Sequence, residues 1–310
     1  HSSGHDHPRR GAGSGDGGGP GHQRAPGVHP GVRPGVGAGR SRGGGGCPLP
    51  GSVPGTVHYQ ICGEGHPLLF ISGVGYGGWF WHKQVPMLSQ HFQVITFDNR
   101  GAGGTDKPDG PYTTAQMAGD TVGLLEALGI ELAHVVGHSL GGFIAQELVL
   151  SRPELVSRLV LASTTYGGPN VIPITPEALE VLTRREGDPV ELVRRGIAIA
   201  TAPGFAGQKP EVVQELIRYR LTNPVPPAQY QAQVMAGATH NAEARIGQIR
   251  CPTLILFGEH DRVVPPGNAE LLARKIPDAQ VMILPGVGHI FPIEDLEATN
   301  SALLEFLKEL

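Results

Sequence analysis

Cysteine is scarce in this 310-residue chain: Cys47, Cys62 and Cys251 are all it has. So few thiols, with no C-x-x-C spacing, supply neither a disulfide framework nor a thiolate zinc site. Long apolar runs are missing as well, and no stretch approaches the ~18 consecutive apolar residues of a membrane span. No basic start followed by an apolar segment marks secretion, so the cytoplasm is the expected compartment. Excess positive charge is also lacking. The chain carries −4 overall; its first 48 residues hold six Arg and two Asp, which leaves −8 on the remaining 262. A mildly acidic body has no electrostatic footprint for nucleic acid. Those first 48 residues lack the means to fold. They contain 17 Gly and 6 Pro, and Val28, Val32 and Val36 are their only Val, Ile, Leu or Phe residues. They are expected to form a disordered tail of tag or non-native origin, since "HSSGH" resembles a tag remnant. The His5-Asp6-His7 triplet belongs to that remnant, and no metal site is expected.

What is present is an alternation. "TVHYQIC" (56–62), "PLLFIS" (67–72), "FQVITF" (92–97), "AHVVGH" (133–138), "VSRLVLAS" (156–163), "PTLILFG" (252–258) and "AQVMILPG" (279–286) read as strands. Helical spacing falls between them, at 117–130, 141–151, 268–276 and 294–310. Strands alternating with helices predict an α/β fold with a mostly parallel sheet covered on both faces. Residues 165–248 break this rhythm. They hold no convincing strand, only helical stretches led by Pro176, Pro189, Pro210 and Pro227, each suited to a first helical turn. The expected organisation is a core of 49–164 and 249–310, with a helical cap of 165–248 inserted between two strands.

Gly137-His138-Ser139-Leu140-Gly141 lies where a predicted strand becomes a helix. G-x-S-x-G in that context is a tight, strained turn that lifts a serine hydroxyl to the carboxyl edge of the sheet. The competing reading is an ordinary strand-to-helix turn. A nucleophilic serine needs a base and an acid that orients it, here expected in the chain order serine, acid, histidine. Asp261 and His289 each follow the end of a predicted strand, so both project from the same edge as Ser139. A helix-capping carboxylate and a structural loop histidine are the bland alternatives. Glu259 is the runner-up acid; His138 reads as packing or solvent-facing, and His82, His134 and His240 read as structural. The oxyanion of an acyl-transfer intermediate needs two backbone donors. Leu140, next to the serine, is one candidate; Val74, in the glycine-rich loop Ser72–Gly78, is the other. Trp79, Phe80 and Trp81, with Ile197, Ile199 and Met235 from the cap, are expected to form an apolar substrate pocket.

Together these segments resemble the α/β-hydrolase superfamily, within it the capped esterase, enol-lactonase and cofactor-free haloperoxidase-like group. The resemblance covers about 53–310 and rests on Ser72-Gly73-Val74-Gly75, "FDNRGAGGTDKP" (97–108), "GHSLGG", "GEHDRVVP" and "GVGHIFPIE". It implies a Ser139–His289–Asp261 triad acting on small to medium carboxylic esters or lactones, with no cofactor and a small molecule as partner. Carbon–carbon bond hydrolysis, perhydrolysis and a slow-turnover small-ligand receptor are its alternatives. Ser72 stands where the family has histidine, a difference expected to spare the Val74 donor. Asp98 and Arg100 are expected to be structural. The family's first strand should lie near 45–53, where prolines fit no central strand.

Overall fold

A computed structural model of the protein describes residues 51–52, 57–184 and 186–308. The expected tail lies outside the described residues. The strands are β1 (Gly51–Ser52), β2 (His58–Cys62), β3 (Pro67–Ile71), β4 (Gln93–Phe97), β5 (Ala133–His138), β6 (Val156–Ala162), β7 (Thr253–Gly258) and β8 (Ala279–Leu284). They form one eight-stranded sheet in the order β1-β2-β4-β3-β5-β6-β7-β8. β1 and β2 pair antiparallel, as do β2 and β4; every other pair is parallel. The first strand is therefore a two-residue edge contact, Gly51 with Tyr59 and Ser52 with His58.

The helices are α1 (Val85–Leu88), α2 (Thr114–Ala127), α3 (Leu140–Ser151), α4 (Pro176–Thr183), α5 (Pro189–Ala200), α6 (Phe205–Gln208), α7 (Pro210–Thr222), α8 (Pro227–Ala238), α9 (Asn268–Ala273), α10 (Phe291–Glu294) and α11 (Leu296–Lys308). Pleating separates the core into two layers, because successive strand side chains point to opposite faces. Leu69, Ile71, Val135, Ile255 and Phe257 pack with Ile144 and Leu148 of α3 and Leu272 of α9. Their neighbours Leu68, Phe70, Val136, Leu254 and Leu256 pack on the other face with Leu303 and Phe306 of α11. The interior strands read as continuous apolar runs because both faces are covered.

Between β6 and β7 the chain forms α4 to α8 and adds no strand to the sheet. A lone bridge between Gly167 and Asn241 joins the two ends of this helical insertion. Local chemistry starts the helices where the sequence suggests. Thr175 caps α4 through the Ala178 amide at 3.2 Å, and Asp188 caps α5 through the amides of Val190 and Glu191 at 2.9 and 3.0 Å. Cys251 is a free thiol, whereas Cys62 is disulfide-bonded. Among the described residues, no helix is long and apolar enough to cross a membrane.

The β5–α3 turn leaves no room for side chains at its glycines. A Cβ on Gly141 would stand 2.1 Å from the Ile71 carbonyl oxygen, and one on Gly137 would stand 2.3 Å from the Gly141 oxygen. Both obstacles are backbone, so no rotamer change relieves them. Gly141→Ala is expected to cost about 3 kcal/mol or more, the upper range for overpacking. A thermal melt beside the parent protein tests this, and an unchanged Tm would contradict the packing described.

Candidate active site

Ser139 joins β5 to α3 with φ 56° and ψ −118°. A non-glycine residue held at positive φ is strained by about 1–3 kcal/mol and persists only where its surroundings impose it. Here they do: the Ser139 amide donates to the Ala162 carbonyl at 2.9 Å, and the Thr164 hydroxyl donates to the Ser139 carbonyl at 2.9 Å. The turn leaves Leu140 as the first residue of α3, so its N–H has no acceptor one turn earlier.

Asp261 follows β7 and His289 follows β8, so the parallel sheet delivers both to the edge where β5 delivers Ser139. His289 Nδ1 and Asp261 Oδ2 are 2.8 Å apart, and both residues are buried. A carboxylate only accepts, so Nδ1 carries the proton and Nε2 keeps its lone pair. The other carboxylate oxygen, Oδ1, accepts from the amides of Val263 and Val264 at 2.9 and 2.8 Å. Capping the following turn and orienting the imidazole are thus one arrangement. Glu259 is occupied elsewhere, its Oε2 accepting from the Gly286 amide at 2.9 Å.

Ser139 and His289 line one cavity together with Val74. Gly73 brings the loop after β3 against the serine: a Cβ there would stand 3.1 Å from Ser139 Cβ. Ser72 anchors that loop, its hydroxyl donating to the Gly77 carbonyl at 2.8 Å while its own carbonyl accepts from Asn99 Nδ2 at 2.9 Å. A strained serine at a strand–helix turn, in one cavity with a carboxylate-oriented histidine, now stands on the residues themselves. Residues 66–296 match the family described as alpha/beta hydrolase fold.

The chain belongs to the α/β-hydrolase family.

Its relatives span several reactions. It is 29% identical over 254 residues to the "Putative carbamate hydrolase RutD" of Azorhizobium caulinodans, covering 82% of this chain and 96% of that one. Among solved structures, a thermophilic esterase from Thermogutta terrifontis superposes with a TM-score of 0.72 at 29% identity, over 83% of this chain and 95% of that one. The enol-lactonase of Burkholderia xenovorans LB400 gives a TM-score of 0.72 at 27% identity, over 84% of this chain and 100% of that one.

Not every expected pocket residue of this α/β-hydrolase reaches the cavity. Ile197 and Ile199 line it, but Trp79, Trp81 and Met235 do not. Trp81 is 1% exposed and packs on Phe70, ring centroids 4.5 Å apart. Trp79 stacks on Tyr219 of α7 at 5.1 Å, and Met235 is 44% exposed on α8. Their places are taken by Tyr76, Arg220 and Tyr230, none of which the sequence reading had selected. Gln233 was missed too. It is fully buried, accepts from the Gly75 amide at 2.8 Å and donates to the Arg100 carbonyl at 2.9 Å. Asp98 and Arg100 are structural as expected. The Asp98 carboxylate accepts from the amides of Gly78 and Gly104, and Arg100 pairs with both oxygens of Asp120.

His138 is packed rather than solvent-facing. Its Nε2 lies 2.8 Å from the His289 carbonyl oxygen, which can only accept, so Nε2 carries the proton. Burial, and secondarily the neighbouring His289, lowers its pKa to about 3. Burial likewise lowers His134 and His240 to about 4. Glu294 departs in the opposite sense. Burial raises it to about 7, although Oε1 accepts from the Gly288 amide at 2.9 Å and Oε2 from the Ala202 amide at 2.7 Å.

These shifts fix the direction of acid sensitivity. The three histidines stay neutral in the folded chain and take up protons on unfolding once the pH falls below their ordinary 6.5. Their contribution is therefore present above pH 6.5 and lost as pH falls toward 4. Between pH 6.5 and 5 each removes at most about 2 kcal/mol. Glu294 opposes them: it binds its proton more readily when folded, which favours the folded state as pH falls from 7 toward 4.5. Thermal melts at pH 7.5 and 5 are expected to show a lower Tm in acid. Glu294→Gln should make that drop steeper. A Tm independent of pH would contradict the neutral burial of the histidines.

Proposed function

We propose that this α/β-hydrolase cleaves small to medium carboxylic esters or lactones through an acyl-enzyme on Ser139. The observation that carries the reading is the buried Asp261–His289 hydrogen bond, which orients a histidine that lines one cavity with Ser139. His289 Nε2 accepts the serine proton as Oγ attacks the carbonyl carbon. Asp261 holds the imidazole in that tautomer and stabilises its cationic form. The amides of Val74 and Leu140 receive the developing oxyanion, each such donor being worth about 2.7–4 kcal/mol. Protonated His289 then passes its proton to the leaving alcohol oxygen. In the second half it draws a proton from water, whose oxygen attacks the acyl carbon, and returns that proton to Ser139 Oγ as the acyl bond breaks and the acid leaves. The insertion of 165–248 acts as a cap. Its α5 residues Ile197 and Ile199 supply apolar wall that excludes bulk water from the intermediate.

The test is covalent labelling by a fluorophosphonate, with the adduct mapped by mass spectrometry, followed by p-nitrophenyl esters of graded acyl length. The adduct is expected on Ser139, with turnover of short and medium acyl chains. A label elsewhere, or an unlabelled protein, would count against the acyl-enzyme. Turnover of vinylogous diketones but not of esters would move the assignment to carbon–carbon hydrolysis. Tight binding of a small ligand without turnover would move it to a receptor.

A further inference from the structure

Helix α7 buries Val213, Leu216 and Ile217, the apolar stripe expected at i, i+3 and i+4. The next position of that stripe, i+7, is Arg220. A cation thus stands where the helix pattern calls for a hydrophobe, and it lines the cavity that contains Ser139 and His289. Among the described residues, it is the only Asp, Glu, Lys or Arg in that lining, which is otherwise largely apolar with two tyrosines.

Arg220 is half-buried. Its Nη1 donates to the Gly75 carbonyl, and the guanidinium lies 4.5 Å from the centroid of the Tyr76 ring. No carboxylate among the described residues forms an ion pair with it, and neither Nη2 nor Nε has a hydrogen-bond partner among them. Its neighbour in the same cavity wall, Tyr76, is also neutral: burial raises its hydroxyl pKa, and Arg220 only partly offsets this. Arg220 Nε and Nη2 are not among the buried polar atoms that lack a partner, so they keep contact with solvent and are free to receive an anion. A planar carboxylate matches the remaining donors in a bidentate fork.

We infer that Arg220 binds a carboxylate carried by the substrate, so that the preferred substrates are esters or lactones bearing a free acid on the acyl side. This rests on the hydrolase reading above and narrows it. Gly73 abuts Ser139 and Gly75 is bonded to Arg220. With ~3.8 Å between successive Cα atoms and a few ångströms for each contact, the guanidinium therefore lies no farther than about 17 Å from the serine Cβ. Diacid monoesters with two to five methylenes between carbonyl and carboxylate sample the spacings below that ceiling.

The experiment compares p-nitrophenyl monoesters of succinate, glutarate, adipate and pimelate with neutral acyl esters of matched length. The quantity read is the ratio of kcat/KM for the anionic ester to that for the neutral one. A general disturbance of the Gly75 loop lowers both terms and cancels. At least one anionic ester should be preferred by the wild type, Arg220→Gln should lower that ratio tenfold or more, and Arg220→Lys should fall between. An identical ratio in wild type and Arg220→Gln at every length overturns the proposal and leaves Arg220 as a clamp on Gly75. Calorimetric titration of free glutarate and adipate separates this from the hydrolase reading, because it needs no turnover. Binding weakened tenfold or more by Arg220→Gln supports the carboxylate site even if no ester is cleaved. Equal binding, or none to the wild type, counts against it.

Discussion

Ser139→Ala is expected to lower kcat for p-nitrophenyl butyrate by about 10^6-fold, the scale on which a triad nucleophile acts, while leaving the melting temperature near or above that of the parent. The second half of this expectation follows from the turn. The Ser139 backbone is held by the Ala162 carbonyl and the Thr164 hydroxyl, not by its own side chain. Alanine keeps both bonds, and the neighbouring glycines keep the space. The loss should therefore be chemical rather than structural. Retained binding of a substrate analogue with lost turnover would make that separation directly. Turnover within tenfold of the parent would remove Ser139 from the mechanism.

Asp261→Asn is expected to cost about 10^4-fold in kcat, the size of effect seen when a triad histidine is held in the wrong tautomer. The geometry here dictates the orientation of the new amide. The position of Oδ1 faces the amides of Val263 and Val264, two donors that demand an oxygen. The Asn nitrogen must then occupy the position of Oδ2, 2.8 Å from His289 Nδ1. A donor there forces the proton off Nδ1 and onto Nε2, where it blocks proton uptake from serine. Because the turn keeps its acceptor, the variant should fold with a Tm close to the parent. Asp261→Ala, by contrast, orphans two amides and should lose stability as well as activity. Equal kcat in the parent and Asp261→Asn would remove Asp261 from the role argued for it.

Much of the sheet was legible because its strands are buried on both faces. Residues 133–138 were read as a strand and form β5 over that span; the helical stretches led by Pro189 and Pro227 are α5 and α8, each starting at its proline. The edge was harder, since the two-residue β1 is too short for any periodic signal. One start was legible but passed over. Helix α2 begins at Thr114, three residues before the expected Met117, because the Thr113 hydroxyl accepts from the Gln116 amide at 3.1 Å. Thr113 and Gln116 have the spacing of a capping box. The closing helix was read as one piece from 294, whereas Asp295 divides α10 from α11 and caps the latter through the Ala298 amide.

The candidate site divides along the same line. Ser139, Asp261 and His289 sit at strand ends, and strand ends can be read from apolar runs. The cavity wall cannot, because it depends on how α4, α5 and α7 settle over the loop after β3. Tryptophans beside that loop suggested a pocket, but their bulk is used in packing between the loop, α7 and the sheet. Arg220 did leave a trace, as a charge on the apolar stripe of α7. A cation on an apolar stripe is a stronger signal of a cavity wall than the neighbouring aromatic residues were.

Glu294 joins two amides that belong to different parts of the chain: Gly288, beside the histidine, and Ala202, just beyond the end of α5. The Ile290 amide adds a third tie, donating to the Ala200 carbonyl at 3.0 Å. The segment beyond α5 and the loop that carries His289 are therefore tied to each other. Under the proposed mechanism, a displacement of that corner would carry the imidazole away from Ser139, so the seat of the insertion and the alignment of the base are set by the same three bonds.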